Sequence, residues 1–345
     1  MNRLNEYLDA ADRENTRKSY ASALRHFEIE WGGFLPATAD SVARYLAEHA
    51  ATLSINTLKH RLSAIARWHA DHGFPDPTRS PVVRKVLRGI RSIHSAPDKQ
   101  ARPLELLQLQ QVSNWLAQES PKSAGENPER ARLRQARDQA MLLIGFWRGF
   151  RADELTRLTA ENITVEPGKS MICYLPRSKG DRESSGRSFL CPVLSRLCPV
   201  TAYENWLAVS GLTSGPVFRS IDRWGHLGTD AIAPGSVIPW LRRLFHAAGV
   251  EAPLSYSSHS LRRGFAGWAR ASGWDLKELM AYVGWKDVKS AMRYLDLSAE
   301  DLSARFEQGL AAPDSLPSPD EESASSSADT RPRTTNQKPS LKIVK

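Results

Sequence analysis

Apolar residues recur at helical spacing through the first hundred positions. The pattern predicts helices over 16–31, from Asp40 onwards, over 56–69 and over 81–93. In the second of these helices Val42, Tyr45 and Leu46 face inward, and Asp40 is the expected cap. No strand pattern interrupts this region, so residues 1–94 are predicted to form an all-α helical bundle.

The pattern changes after a polar stretch over 95–103, which is predicted to be a linker. A helix is expected over 106–116, and a second, buried helix ends near Trp147 with an almost continuous apolar run. Two β-like runs, 171–176 and 187–193, flank a turn that contains Lys179. Residues 104–311 are therefore predicted to form a mainly α domain with a small antiparallel β-sheet.

The last segment, 312–345, has no hydrophobic period. Pro, Ser, Asp and Glu dominate its first half, and its five acidic and five basic residues are separated by sign. Such a composition cannot bury enough apolar surface to fold alone. We therefore expect a disordered tail.

Charge narrows the class of partner. The 345-residue chain carries a net charge of +9, with a pI near 9.6, which favours an acidic partner such as nucleic acid. Its three cysteines show no metal-ligand spacing, and no apolar run is long enough for a membrane span. A cytoplasmic protein without a metal or other cofactor is expected.

Basic residues collect on two of the N-terminal helices. Seven basic residues and one acidic residue lie between Arg79 and Arg102. Such faces are typical of DNA-backbone contacts, although a solvated amphipathic bundle would show them too. The predicted DNA-binding residues are Lys59, Arg61, Arg67, Arg84, Lys85, Arg88, Arg91 and Arg102.

Candidate chemistry lies near the end of the folded region. His259 and Arg262 are one helical turn apart, and Tyr294 lies nine residues after a Gly284-Trp285 pair. A proton donor, a guanidinium and a phenol suit phosphate chemistry without a metal. Far upstream, Arg151 stands where a helix begins and Glu154 could orient it, although that spacing alone favours a surface ion pair.

These segments together resemble the tyrosine recombinases, also called the phage integrase family. The resemblance is carried by Gly149-Phe150-Arg151-Ala152-Asp153-Glu154-Leu155, His259-Ser260-Leu261-Arg262, Gly284-Trp285 and Tyr294, with Lys179 between the first two. The order and spacing match the family's motifs. Tryptophan at 285 and the Arg88-Gly89-Ile90-Arg91 segment look most like the Cre-type members. The resemblance implies a helical core-binding domain followed by the catalytic domain of that fold.

The resemblance also implies a mechanism. Tyr294 would attack a DNA phosphodiester and form a 3′-phosphotyrosine. Arg151 and Arg262 would bind the non-bridging oxygens, and Lys179 would protonate the leaving 5′-oxygen. His259 would accept the tyrosine proton or hold the phosphate, Trp285 would donate its indole N–H or pack, and Glu154 would orient an arginine or the histidine. The competing candidates Tyr256, Tyr282, Arg263 and Lys169 fit the motif spacing less well.

The resemblance also implies an assembly, and other functions remain open. A helix over 299–310 would pack on a neighbouring subunit, giving a homotetramer on two double-stranded DNA sites that exchanges strands through a Holliday junction. A type IB topoisomerase or hairpin-resolving strand transferase would use the same residues. A DNA-binding regulator without catalysis and a phosphoryl enzyme acting on other substrates are the remaining alternatives.

Overall fold

The computed structural model describes Arg3 and residues 14–95, 100–118, 127–176 and 186–292, without the side chains of 289 and 290. Lys179, Tyr294 and the predicted helix over 299–310 lie outside the described residues. Backbone proximity divides the chain into two compact units, with the division between Gln100 and Ala101. The roles of the predicted domains stay predictions; these domains are 1–94, 95–103, 104–311 and 312–345.

The first unit is helical throughout its described part. A π-helical turn, His26–Glu30, continues the first helix, and the buried core includes Phe27, Tyr45 and Leu58. Its helices are α1 (Glu14–Arg25), α2 (Ala39–Glu48), α3 (Ile55–Asp71) and α4 (Pro81–Ile93).

The cap of α2 differs from the prediction. Thr38, not Asp40, is the N-cap, because its extended backbone lets its side chain accept a hydrogen bond from the Ser41 amide at 3.2 Å. Asp40 lies within the first turn, where a negative charge is also favourable. There it pairs with Arg44 at 2.9 Å.

The second unit is built around one long buried helix, α6, whose second half is enclosed on all sides from Ala140 to Arg148. The described helices of this unit are α5 (Leu106–Gln118), α6 (Pro128–Arg148), α7 (Ala152–Thr156), α8 (Pro199–Ser210), α9 (Val237–Ala247), α10 (Ser258–Ala271), α11 (Leu276–Val283) and α12 (Val288–Met292). The apolar run that predicted burial of α6 is confirmed.

Two small antiparallel sheets accompany these helices. One contains β1 (Ile163–Glu166), β2 (Ser170–Leu175) and β3 (Arg187–Pro192), and the other contains β4 (Arg219–Ile221) and β5 (Leu227–Ala231). The β2–β3 pair confirms the predicted hairpin strands. Pro216 forms only an isolated bridge with Thr159, and strand β4 begins three residues later, at Arg219.

A close backbone approach places α10 against the start of the second unit. The amide of Leu104 donates to the carbonyl of Ser260 at 3.0 Å. A Cβ added to Gly264 would collide with the Leu104 carbonyl, so only glycine permits this contact. The mainly α fold with small antiparallel sheets is confirmed. No helix in the described part of the chain is both long and apolar enough to cross a bilayer.

Candidate active site

Arg151 is held at the beginning of α7 by Glu154. The chain leaves α6 through Gly149, whose φ of +56° is a left-handed conformation that favours glycine. Glu154 then accepts hydrogen bonds from the Arg151 amide at 2.9 Å and from its guanidinium at 2.6 Å. The carboxylate is buried, whereas the Arg151 side chain is 27% exposed. This geometry is an oriented buried pair and not a surface ion pair.

Arg262 reaches the same carboxylate from α10. That helix begins at Ser257, which accepts from the His259 amide at 3.2 Å and donates its own amide to the Ser260 hydroxyl at 2.9 Å. The Arg262 side chain is 1% exposed, and its Nη1 lies 3.8 Å from Glu154 Oε2. The same nitrogen donates to the Gly149 carbonyl at 2.7 Å. Two arginines from distant parts of the sequence therefore share one buried carboxylate.

Trp285 packs over Arg262. Helix α11 ends at Gly284, which has a φ of +81°, and the next side chain turns back into the core, where it is 6% exposed. The Arg262 guanidinium carbon lies 5.0 Å from the centroid of the indole ring. Such a cation–π contact stabilises a charge that burial has removed from water.

His259 lies in the first turn of α10, one turn before Arg262, and is exposed. The structure therefore brings Arg151, Glu154, Arg262 and Trp285 into one cluster with His259 at its edge. The two remaining predicted members, Lys179 and Tyr294, lie outside the described residues. Among the described residues, no group of three or more His, Cys, Asp or Glu is arranged to hold a metal ion.

Of the competing tyrosines, Tyr256 is buried in the core and Tyr282 is half-buried against it. Burial raises the pKa of Tyr256 and also the pKa of Tyr282, so each phenol is harder to deprotonate than a free one. Lys169 forms an ion pair with Glu166 at 2.6 Å in the turn between β1 and β2. Each of these side chains has a structural environment that accounts for it.

The predicted DNA-binding residues divide into two groups. Five have exposed side chains on α3 and α4: Lys59, Arg84, Lys85, Arg88 and Arg91. The other three have partners within their own unit. Arg61 donates to the Tyr45 hydroxyl at 2.7 Å, Arg67 pairs with Asp71 at 2.7 Å, and Arg102 lies 3.8 Å from Glu251.

Two contributors to the site were missed by sequence reasoning. The Gly149 backbone carbonyl orients Arg262, and the buried Arg148 precedes it at the last position of α6. An arginine that ends an otherwise apolar helix, directly before the Gly-Phe-Arg motif, was the available signal. Its partners are far apart in sequence, and the pattern could not identify them.

Comparison with known proteins places this cluster in a family. The chain matches the phage integrase family over residues 114–301, more than half of its length. The chain belongs to the phage integrase family, the tyrosine recombinases. The matched range contains Arg151, Glu154, Arg262 and Trp285, and also the predicted Lys179 and Tyr294.

Individual tyrosine recombinases align along most of the chain. It is 27% identical to an integrase/recombinase xerD homolog of Selenomonas ruminantium, over 84% of this chain and 83% of the relative. It is 26% identical to recombinase cre of Escherichia phage P1, over 81% and 80%. The fold is similar to that of the XerH site-specific recombinase bound to its difH substrate, with a TM-score of 0.58, 17% identity and coverage of 86% and 79%.

Proposed function

We propose that this tyrosine recombinase is a site-specific DNA recombinase that cuts and rejoins DNA through a 3′-phosphotyrosine on Tyr294. The observation that carries the proposal is the pair of guanidinium groups, Arg151 and Arg262, which share the buried Glu154 carboxylate at 2.6 Å and 3.8 Å. Planar, permanently charged groups in fixed positions suit the non-bridging oxygens of a phosphodiester. Membership of the family supplies the expectation that this phosphodiester is in DNA.

Glu154 prepares the two arginines for this task. One negative charge between two positive ones lowers the cost of burying them and leaves a net positive charge for the phosphate. Because Glu154 contacts both groups before substrate arrives, little reorganisation is needed when charge develops in the transition state. Trp285 packs over the buried Arg262 and holds its guanidinium in place.

The remaining steps are assigned to residues at the edge of this cluster and beyond it. Tyr294 attacks phosphorus and displaces the 5′-oxygen, which receives its proton from Lys179. The exposed His259 accepts the tyrosine proton or binds the phosphate, and Trp285 keeps water from Arg262. The packing of Tyr256 in the core and of the half-buried Tyr282 against it supports Tyr294 as the nucleophile, since both phenols have raised pKa values.

Recognition of the duplex is assigned to the exposed basic faces of α3 and α4. Lys59 lies on α3, and Arg84, Lys85, Arg88 and Arg91 lie on α4. Side chains of this type bind the phosphate backbone and position a protein without reading its sequence. Arg61, Arg67 and Arg102 are weaker candidates, because each has a partner within its own unit.

For assembly we propose a homotetramer on two DNA sites, with residues 299–310 packing on a neighbouring subunit and a Holliday junction as intermediate. A chain truncated before residue 299 would lack this packing segment. It is expected to bind one site and to fail in joining two sites. Normal recombination by the truncated chain would contradict this arrangement.

The proposal is tested by recovering the DNA that the protein attacks. Nicked fragments of genomic DNA are incubated with the purified chain, and fragments that resist removal under denaturing conditions are sequenced. A nick lets the 5′-hydroxyl strand leave, so the covalent intermediate accumulates. We expect one recurrent, partly palindromic sequence that supports recombination when two copies are placed on a plasmid.

Other outcomes identify the alternatives. Relaxation of supercoiled plasmids without a recurrent site would favour a topoisomerase. Tight binding of one sequence without covalent capture would favour a DNA-binding regulator. Either result would overturn site-specific recombination by this chain.

A further inference from the structure

Arg148 is a buried arginine to which the proposed reaction assigns no role. It is the last residue of α6, and its side chain is among the largest that are fully enclosed, with 2% of the residue exposed. A buried guanidinium requires compensation, because transfer of a charge from water into the protein is costly. The described residues place no carboxylate within ion-pair distance of it. Its partners are therefore of another kind.

Two backbone carbonyls and aromatic rings stabilise the Arg148 charge. Nη1 donates to the Leu190 carbonyl on β3 at 2.9 Å, and Nη2 donates to the Tyr282 carbonyl on α11 at 2.5 Å. The guanidinium carbon lies 3.8 Å from the centre of the Tyr282 ring and 5.2 Å from that of Phe189. One side chain thus joins the end of α6 to a strand and to another helix.

Arg187 makes a parallel contact from the first residue of β3. Its Nη2 donates to the Ala281 carbonyl at 2.6 Å, and a Cβ on Gly284 would lie only 2.7 Å from its Nη1. The last carbonyls of a helix lack intrahelical donors and carry partial negative charge. Two guanidinium groups therefore bind consecutive carbonyls at the end of α11. We call Arg148 and Arg187 the carbonyl clamp.

The carbonyl clamp lies between the proposed catalytic groups. Arg148 is followed by Gly149, whose carbonyl orients Arg262, and Arg151 is three residues after Arg148. Arg187 follows the segment that contains Lys179, and the clamped end of α11 is followed by Trp285 and the segment that leads to Tyr294. The clamp therefore contacts the backbone close in sequence to each of these segments.

We propose that Arg148 and Arg187 are positioning residues for strand transfer. They bind the carbonyls of Tyr282 and Ala281, and so fix the turn at Trp285 and the start of the tyrosine segment relative to Arg151 and Arg262. The inference rests on the proposed function. Small displacements of reacting groups slow catalysis strongly while leaving the rest of the binding surface intact. Loss of the clamp therefore lowers the rate of cleavage and not the affinity for DNA.

The test uses the full chain and the nicked DNA recovered with it. Arg187→Met removes the donor from a partly exposed side chain, and Arg187→Lys restores one charged donor. For each variant we measure the DNA dissociation constant and, at saturating DNA, the first-order rate of covalent adduct formation. Arg187→Met is expected to slow adduct formation by about 10-fold to 100-fold, with affinity unchanged to within about twofold. Arg187→Lys should recover part of the rate.

Arg196→Met is the matched control, because Arg196 is an exposed arginine of the same unit that donates to Gln110 at 3.3 Å, away from the clamp. It should cleave at the wild-type rate. Arg148→Met should show the same separation of rate from affinity. If that buried variant fails to fold, Arg187→Met decides the question.

The outcomes separate the inference from the proposed function. If the wild-type chain forms adducts and Arg187→Met forms them equally fast, the positioning role is wrong. Equal loss of affinity and rate in Arg187→Met, without recovery in Arg187→Lys, would indicate a merely structural role and would also overturn it. A wild-type chain that forms no adduct on any DNA would end the proposed function, and this inference with it.

Discussion

Arginines occupy opposite environments in two regions of the molecule. On α4 of the first unit, Arg84, Arg88 and Arg91 follow one helical face and are exposed. In the second unit, Arg148 and Arg262 are 2% and 1% exposed and donate to backbone carbonyls. The same guanidinium group is therefore exposed to water in one region and held in one geometry in the other.

The difference indicates two uses of one side chain. Exposed arginines keep their rotamer freedom and can adjust to a phosphate backbone, which gives affinity with little geometric demand. Buried arginines have been desolvated and oriented during folding, so they can act on a transition state without reorganisation. Variants in the two regions should therefore affect different measurable quantities.

The largest effect is expected at the oriented pair. Arg262→Lys and Arg151→Lys keep a positive charge but lose the planar fork, so the rate of adduct formation should fall by about 100-fold to 1000-fold. Affinity for DNA should change little, since many other contacts remain. Rates come from quenched single-turnover reactions on nicked DNA. Arg263→Lys is the adjacent control, and a similar fall there would contradict the choice of Arg262.

A smaller effect is expected at Glu154. Glu154→Gln keeps the shape but removes the charge between the two arginines, so adduct formation should slow by about 10-fold or more. The unfolding free energy should drop by about 3 kcal/mol, because the buried Arg262 and the partly exposed Arg151 lose their counter-charge. Denaturant unfolding and adduct rates measure the two effects.

Asp153→Asn is the control on the same helix. Its half-buried carboxylate pairs with Arg157 at 3.1 Å, and a pair of this kind contributes less than about 1 kcal/mol. Equal destabilisation by the two substitutions would show that Glu154 has no special role.

Exposed arginines should affect binding alone. A chain with Arg84, Arg88 and Arg91 all changed to Gln should bind DNA more weakly, and the slope of log affinity against log salt should be smaller by about 3. Its adduct rate at saturating DNA should match the wild type. Arg67→Gln is the paired control, because Arg67 already binds Asp71 at 2.7 Å. A lower rate of adduct formation at saturating DNA would contradict the distinction between arginines that give affinity and arginines that act in catalysis.

The smallest effect concerns acid stability of the first unit. Burial, aided by Arg61, lowers the pKa of His26 below its ordinary value of 6.5. As the pH falls through 6.5, His26 therefore binds protons more readily in the unfolded chain than in the folded one. The free energy of unfolding keeps its full value above pH 6.5 and decreases below it. His26→Gln should reduce the loss of stability between about pH 7.5 and about pH 5.5, measured by denaturant unfolding. An unchanged loss would contradict this origin.

Local spacing in the sequence was sufficient to predict part of this site. Arg151 and Glu154 are three positions apart at a helix start, where the cap brings them together, and His259 and Arg262 lie one turn apart on one helix. The buried half of α6 and the strands β2 and β3 were equally visible, because their apolar patterns are strong. The order of the family's motifs then indicated that these separate segments contribute to one site.

Contacts between distant segments could not be predicted in this way. Arg262 donates to Gly149, which is 113 residues away, and Arg148 donates to Tyr282, which is 134 residues away. Helical and strand periodicity gives no information on contacts between residues so far apart in sequence. Strand β1 has only four residues and β5 is rich in polar ones, so both fell below the hydrophobic signal. The role of Glu154 as a shared partner of two arginines also required the fold.

The most direct test of the account is to identify the residue joined to DNA. The covalent adduct formed on nicked DNA is digested, and the peptide that carries the nucleotide is sequenced by mass spectrometry. We expect a 3′-phosphate ester on Tyr294 that is absent in Tyr294→Phe, while DNA binding remains. An adduct on Tyr256, Tyr282 or any other residue, or an adduct that persists in Tyr294→Phe, would contradict it.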